Sequence, residues 1–383
     1  MKKTRILFVC NEFPPYPHGG IGVFVNNLSA DLSFLDFECV VVGLYPGDTI
    51  FEEYIGNVRV IRLNDPTNLK FDKLLLFSIL QDFRRKLRLS LFIRNLEREK
   101  KFDLIESYEW NGPLAFKPKT KLLIRLHGSN TAYSAYEGKP FSRLIRFHES
   151  KNLGFADNIV SVSNHMWSLT QKTFAEMQIQ KRIVYNSYNS AIFHDVGVNL
   201  RDSNKILFVG KFHERKGVFE LFKILNVLFG KSLDYEFAFV GPYRDKDYDE
   251  IITFINPDFR RRIKFIGPLS QSDLARRYLE SSLMIMPSRA EAFGLTAIEA
   301  MSCGCIVAMS NLPVAHEIID DNIDGIIINP TSTEETAERI HSLLSNKNLI
   351  QRIRENAIIK ATTKFSSVEI LKQNVIMYKE IVK

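Results

Sequence analysis

Lys205-Ile-Leu-Phe-Val-Gly210 restates, almost residue for residue, the Arg5-Ile-Leu-Phe-Val-Cys10 near the start of the chain. Both are short, continuous apolar runs behind a basic residue, the pattern of a strand buried on both faces of a parallel sheet. Each leads into a glycine-bearing loop and then a helical pattern, so each opens a βαβ series. Further strand candidates follow the first at 38–44, 58–62, 103–106, 121–126 and 158–162, and the second at 235–240, 263–266, 283–286, 305–308 and 325–328. The expected fold class is α/β: two Rossmann-like, doubly wound parallel-sheet domains. A length of 383 residues, more than one core ordinarily serves, agrees with two. The polar stretch 186–204 separates them, which predicts an N-terminal domain over 1–190 and a C-terminal domain over 191–363. Helical spacing then continues at 333–345, 347–362 and 367–382.

Composition narrows the function classes. Hydrophobic content of 45% and charged content of 25% are globular values and exclude a disordered or fibrous chain. Of the net charge of +7, six units fall in residues 1–195, where 26 basic side chains face 20 acidic ones. The densest part is 81–101, with eight basic and three acidic residues. Segment 71–101 therefore has two readings. As an interfacial helix it dips Leu87, Leu89, Leu91, Phe92, Ile93 and Leu96 into headgroups while Arg84, Arg85, Lys86, Arg88 and Arg94 meet anionic lipid; as a packing helix it buries the same apolar stripe. No nucleic-acid recognition motif accompanies the charge, so nucleic acid is not an expected partner. Cys10, Cys39, Cys303 and Cys305 form neither a disulfide framework nor a metal-ligand spacing, and Ile6–Cys10 is too short for an export signal. A cytoplasmic protein is expected, peripheral at the inner face of the membrane if the first reading of 71–101 holds.

In doubly wound sheets ligands bind where strands end. After 5–10 stands Asn11-Glu-Phe-Pro-Pro-Tyr-Pro-His-Gly-Gly-Ile-Gly22, whose Gly19 and Gly20 let backbone amides approach a phosphate or a sugar, or simply make a turn. A dinucleotide site would need Gly-x-Gly-x-x-Gly directly after the strand and an acid closing the second strand; neither is present. After 205–209 come Lys211 and Lys216 in Gly210-Lys-Phe-His-Glu-Arg-Lys-Gly217, two cations for a diphosphate. Farther on, Glu291-Ala-Phe-Gly-Leu-Thr-Ala-Ile-Glu299 puts one carboxylate in a loop and a second about one turn inside a helix. The amides of Phe293, Gly294 and Leu295 open that helix and would face an anion. Asp245-Lys-Asp247 matches an acidic metal motif, but it lies in an acidic helix-leading stretch and reads as a solvated face; no metal is expected.

Taken together, Gly-Lys-x-x-x-x-Lys-Gly-Val at 210–218, Phe265-Ile-Gly-Pro-Leu269, Pro287-Ser-x-x-Glu291-x-Phe-Gly-Leu-x-x-x-Glu299-Ala-Met-x-Cys-Gly304 and Asp324-Gly325 resemble the family 4 retaining glycosyltransferases, over nearly the whole chain. The resemblance implies the GT-B fold, with the two domains facing an interdomain cleft and the C-terminal helix, 364–383, packing back on the first domain. It further implies a nucleotide-sugar donor, a UDP-sugar by expectation, held by the second domain, and a glycan or lipid-linked acceptor on the first, without a metal or other cofactor. Carried over by position, Lys211 and Lys216 stabilise the leaving diphosphate, Glu291 touches sugar hydroxyls, Glu299 the ribose and the backbone at Leu269 the base. His127, after strand 121–126, lies beside the donor sugar in an orienting role. Glu109, at another strand end, faces the acceptor or braces a loop. Two positions depart from the pattern: Lys211 stands where the family usually has Arg, and Asn186-Ser-Tyr-Asn189 where it often has Asn-Gly-x-Asp. A nucleotide-sugar 2-epimerase, a phosphorylase and an inactive scaffold remain open on the same architecture.

Overall fold

Two parallel sheets organise the computed structural model, which describes residues 3–16, 19–47, 50–65, 75–175, 180–197, 202–232 and 234–383. Pro17 and His18 of the first glycine loop, the start of segment 71–101 before residue 75, and 198–201 of the linker lie outside the described residues. The chain divides into one compact unit of 1–186 with 370–383 and another of 187–369.

In the first unit, β1 (Thr4–Val9), β2 (Phe37–Tyr45), β3 (Phe51–Ile55), β4 (Val58–Asn64), β5 (Leu104–Tyr108), β6 (Leu122–Leu126) and β7 (Asn158–Ser161) form a sheet of order β3-β4-β2-β1-β5-β6-β7. Helices α1 (Gly20–Ser33), α2 (Leu75–Glu99), α3 (Asn130–Tyr136), α4 (Arg143–Phe155) and α5 (Asn164–Thr173) connect the strands. β1 lies between β2 and β5, Ile6 pairing in register with Cys39 and Leu104, so both of its faces are covered and its sequence is apolar throughout. One strand departs from the all-parallel expectation. β3 pairs antiparallel with β4 through a two-residue turn, Gly56-Asn57, and closes the sheet edge.

The second unit contains β8 (Asp202–Val209), β9 (Glu236–Val240), β10 (Ile263–Ile266), β11 (Ser281–Met286), β12 (Ile306–Ser310) and β13 (Ile326–Ile328), in the order β10-β9-β8-β11-β12-β13 with every pairing parallel. Helices α6 (Val218–Lys231), α7 (Asp245–Phe254), α8 (Gln271–Glu280), α9 (Leu295–Ser302), α10 (Ala315–Ile318), α11 (Thr333–Leu344) and α12 (Lys347–Lys364) complete it. The last helix, α13 (Ser367–Val382), returns to the first unit and buries Ile370, Met377, Tyr378 and Ile381 in its core. Each such side chain contributes about 1.5–3 kcal/mol.

α2 resolves the two readings of its apolar stripe. Leu89, Ile93 and Leu96 are buried in the first unit, so the proposed lipid-dipping face is a packing face. Its cations are largely engaged as well: Arg85 pairs with Asp65 at 2.8 Å, Lys86 with Asp82 at 2.7 Å, and Arg94 lies over the Phe116 ring at 4.3 Å. What α2 exposes is Ile79, Leu80 and Phe83, together with Leu91 and Arg84 from the expected lipid-facing set. Among the described residues no helix is long and apolar enough to cross a membrane.

Candidate active site

β8 ends at Val209, and the loop after it leads into α6 through Gly217, whose φ of 70° is left-handed. A Cβ there would run into the carbonyl oxygen of Pro287 at the end of β11, so only glycine lets the two strand-end loops lie together. Further bonds stitch them. The Arg289 N–H donates to the Arg215 carbonyl at 2.8 Å, and the Arg289 guanidinium pairs with Glu214 and, at 2.5 Å, with Glu220. The result is that the Lys216 ammonium meets the Glu291 carboxylate in a partly buried ion pair, with the Ser288 hydroxyl donating to the same oxygen at 3.2 Å. Lys211 stands exposed on the same loop as Lys216.

Gly294, with φ 104°, caps α9 and aims the first amides of that helix at the same strand-end edge. Phe293 turns its ring inward, edge-on to Phe365 at a centroid distance of 5.7 Å. Glu299 is buried one turn inside α9 and accepts from the Tyr278 hydroxyl of α8 at 3.4 Å. Burial pushes its carboxyl up to about 8, so at neutral pH it keeps its proton and can both donate and accept. Leu269 stands half-buried between β10 and Ser270, the residue that caps α8. Since all six strands run parallel, Leu269, Lys211, Lys216, Glu291 and Gly294 share one edge of one sheet. From β10 to β11 that edge spans about 15 Å.

In the first unit the loop after β1 is tightly built. Asn11 accepts from the Leu44 N–H at 2.9 Å, and the Phe13 N–H donates to the Tyr45 hydroxyl at 3.0 Å. Between them Glu12 accepts the N–H groups of Gly19 and Gly22 at 3.0 and 3.1 Å. α1 begins at Gly20, directly after this loop, and carries its own anion at its N-terminus. The Gly19 amide expected to meet a phosphate or sugar is thus already bonded, while Gly20 sits in the first helical turn.

His127 follows β6, its ring 5.0 Å from that of Phe24. Burial, helped by nearby Arg125, holds the imidazole down to about 3, so it is neutral at physiological pH and suits hydrogen bonding rather than charge stabilisation. Glu109 does not turn toward solvent: it is wholly buried and receives the His127 and Gly128 amides. Of its two expected roles, it braces the loop.

The family description "Glycosyltransferase Family 4" matches residues 18–189, and "Glycosyl transferases group 1" matches residues 192–360. The chain belongs to the group 1, family 4 glycosyltransferases. An uncharacterised glycosyltransferase of Methanocaldococcus jannaschii is 25% identical to it over 89% of each chain. The glycogen synthase of Mycobacterium tuberculosis is 23% identical over 94% of this chain and 91% of its own. Among solved structures, the sucrose-phosphate synthase of Thermosynechococcus elongatus has a TM-score of 0.79 at 18% identity, covering 99% of both chains. HepE of Anabaena, solved with UDP and glucose, has a TM-score of 0.74 at 17% identity, covering 98% of this chain and 100% of its own. The fold is therefore that of the GT-B glycosyltransferases.

In this glycosyltransferase the acidic motif after β9 lies on a solvated face, Asp245, Lys246, Asp249 and Glu250 being exposed, with one exception. Asp247 is buried as the third residue of α7, where it accepts from the Arg244 backbone N–H at 2.9 Å and pairs with the Arg244 side chain. Among the described residues no group of three or more His, Cys, Asp or Glu is placed to hold a metal, and all four cysteines are buried thiols. Three acids that bond the first unit together were not singled out in the sequence: Glu12 after β1, Glu106 within β5 and Glu149 of α4. Glu12 carried no signal beyond its proximity to glycine, and Glu149 is an acid in mid-helix like many others. Glu106 did carry one, a carboxylate in the apolar run 104–108 beside the strand containing Arg125.

Proposed function

We propose that this glycosyltransferase moves a sugar from a nucleoside-diphosphate donor, a UDP-sugar, to a hydroxyl of a glycan or lipid-linked acceptor, with retention of configuration and without a metal or other cofactor. The observation that carries the proposal is the Lys216–Glu291 pair beside the amide-lined start of α9. Lys216, Lys211 and the amides of Gly294 and Leu295 take the charge that grows on the diphosphate as the C1–O bond breaks. Glu291 receives sugar hydroxyls, Glu299 the ribose diol, and the backbone at Leu269 the base edge. Neutral His127 orients the sugar. The acceptor oxygen attacks C1 from the face the diphosphate leaves, and its proton passes to the departing phosphate oxygen, so no protein nucleophile is required. UDP in the HepE structure supports the choice of donor class for this chain.

A thermal-shift screen against UDP, GDP and ADP tests the donor reading. A ligand of the folded state at one hundred times its Kd stabilises by about 2.7 kcal/mol. UDP is expected to give the largest shift; no shift from any of the three removes the donor assignment. Incubation with UDP-sugars alone separates the rival chemistry, since an epimerised product formed without acceptor would make the protein a 2-epimerase.

The reading extends to a peripheral site on an anionic membrane, through a surface other than the stripe first singled out. Ile79, Leu80 and Phe83 of α2 and Phe147 of α4 are exposed, with Arg84 among them, and His148 of α4 approaches Asp82 of α2 to 3.8 Å there. The chain is expected to float with phosphatidylglycerol vesicles, and Leu80→Asp with Phe83→Asp to abolish flotation. Absence of any salt-sensitive association ends this part of the proposal.

A further inference from the structure

Both carboxylate oxygens of Glu109 are committed: Oε2 accepts the His127 N–H at 3.0 Å and Oε1 the Gly128 N–H at 2.6 Å. Its own carbonyl accepts from Gly112 at 2.9 Å and closes the turn after β5. A carboxylate is an acceptor at both oxygens, whereas a carboxylic acid or an amide turns one of them into a donor facing an N–H. The backbone that carries His127 therefore depends on the charge of a residue sealed behind it.

We propose that Glu109 is a positioning residue for sugar transfer: as a carboxylate it clamps the His127–Gly128 backbone and so aims the imidazole, and protonation releases the clamp. This rests on the reading of His127 as a sugar-contacting group. The charged and titratable neighbours leave Glu109 as the group that responds. Glu149 of α4 is the other buried acid nearby, itself bonded to the N–H groups of Asn111, Asn130 and Thr131 at 3.1, 2.9 and 3.1 Å. Lys86 of α2 lies near Glu149, Arg125 of β6 is paired with Glu106 at 2.6 Å, and Tyr133 of α3 packs under Gly128. Burial, aided by the charge of Glu149, pushes the Glu109 carboxyl up to about 7 against the pull of its amides, while the His127 ring stays neutral well below that range.

The signs are distinctive. A folded-state value of about 7 exceeds the ordinary carboxyl value of 4.5, so this group's contribution to stability falls as pH rises through that window and is flat above it. Clamping and turnover change the opposite way, rising as the proton leaves. In the full chain, the amide resonances of His127 and Gly128 are expected to titrate together with a midpoint of about 7, and UDP release from UDP-glucose to rise over the same range. Glu109→Gln should flatten both profiles and cut turnover by about tenfold with UDP affinity unchanged; Glu109→Asp should restore a pH-dependent limb. Amides that do not titrate between about pH 6 and about pH 8, or a Glu109→Gln enzyme that keeps the wild-type limb, would overturn the proposal. If the wild type fails to bind UDP, the donor reading falls, while the amide titration still reads the clamp.

Discussion

Replacing Lys216 with alanine is expected to cut transfer by about 10²–10³-fold, the largest functional effect of any single change in the second unit. Two losses combine. The ammonium no longer bonds the leaving diphosphate, and Glu291, its partner in the free protein, is left as an unpaired carboxylate where the anion must sit. For that reason Lys216→Ala should lower nucleotide affinity as well as kcat. Glu291→Ala frees the lysine but removes a sugar contact, so it should lower kcat with nucleotide affinity nearly intact. The double variant is expected to be little worse than Lys216→Ala, because members of one bonded unit do not contribute additively. Lys211, exposed and outside that pair, should give a smaller loss on truncation. Steady-state kinetics with UDP titrations on the four variants check this; full transfer by Lys216→Ala would remove the lysine from the site.

The second large effect is on stability. Arg125 is fully buried in β6, donating to Glu106 at 2.6 Å and to Asn374 at 2.7 Å, while the Tyr378 hydroxyl donates to the other Glu106 oxygen at 2.6 Å. Asn374 and Tyr378 belong to α13, so this network fastens the last helix to the first sheet. Glu106→Ala leaves the guanidinium buried without its counter-ion, which costs about 3–5 kcal/mol. Thermal unfolding of the first unit should shift down, and limited proteolysis should release the C-terminal helix first. Replacing Arg125 and Glu106 together by apolar residues of similar volume is expected to cost much less, since no charge is stranded. A Glu106→Ala protein that unfolds at the wild-type temperature would show that the pair contributes nothing.

Those two regions mark the boundary of what could be read from sequence. Twelve of the thirteen strands lie where short apolar runs predicted them, because a strand buried on both faces must be apolar along its length. The missing one, β3, has an exposed and partly acidic sequence, and its best sign was the Gly56-Asn57 turn. Helix spacing likewise placed α11, α12 and α13 to within a few residues. The stripe of α2 was legible as amphipathic but not its partner, since lipid and a protein core ask for the same apolar residues; only packing of Leu89, Ile93 and Leu96 decided between them.

The order of residues alone determined the two α/β units and the strand-end loops that carry Lys211, Lys216, Glu291 and Glu299. Their signals are local, a periodicity or a fixed spacing within one loop and helix. Tertiary structure alone decided which charges are spent inside the protein: Glu12 on the start of α1, Glu109 on the His127 backbone, Asp247 on the start of α7, and Arg125 with Glu106 on the C-terminal helix. An acid that bonds an amide and one that awaits a ligand are the same residue in sequence. They differ only in what the fold brings within about 3 Å.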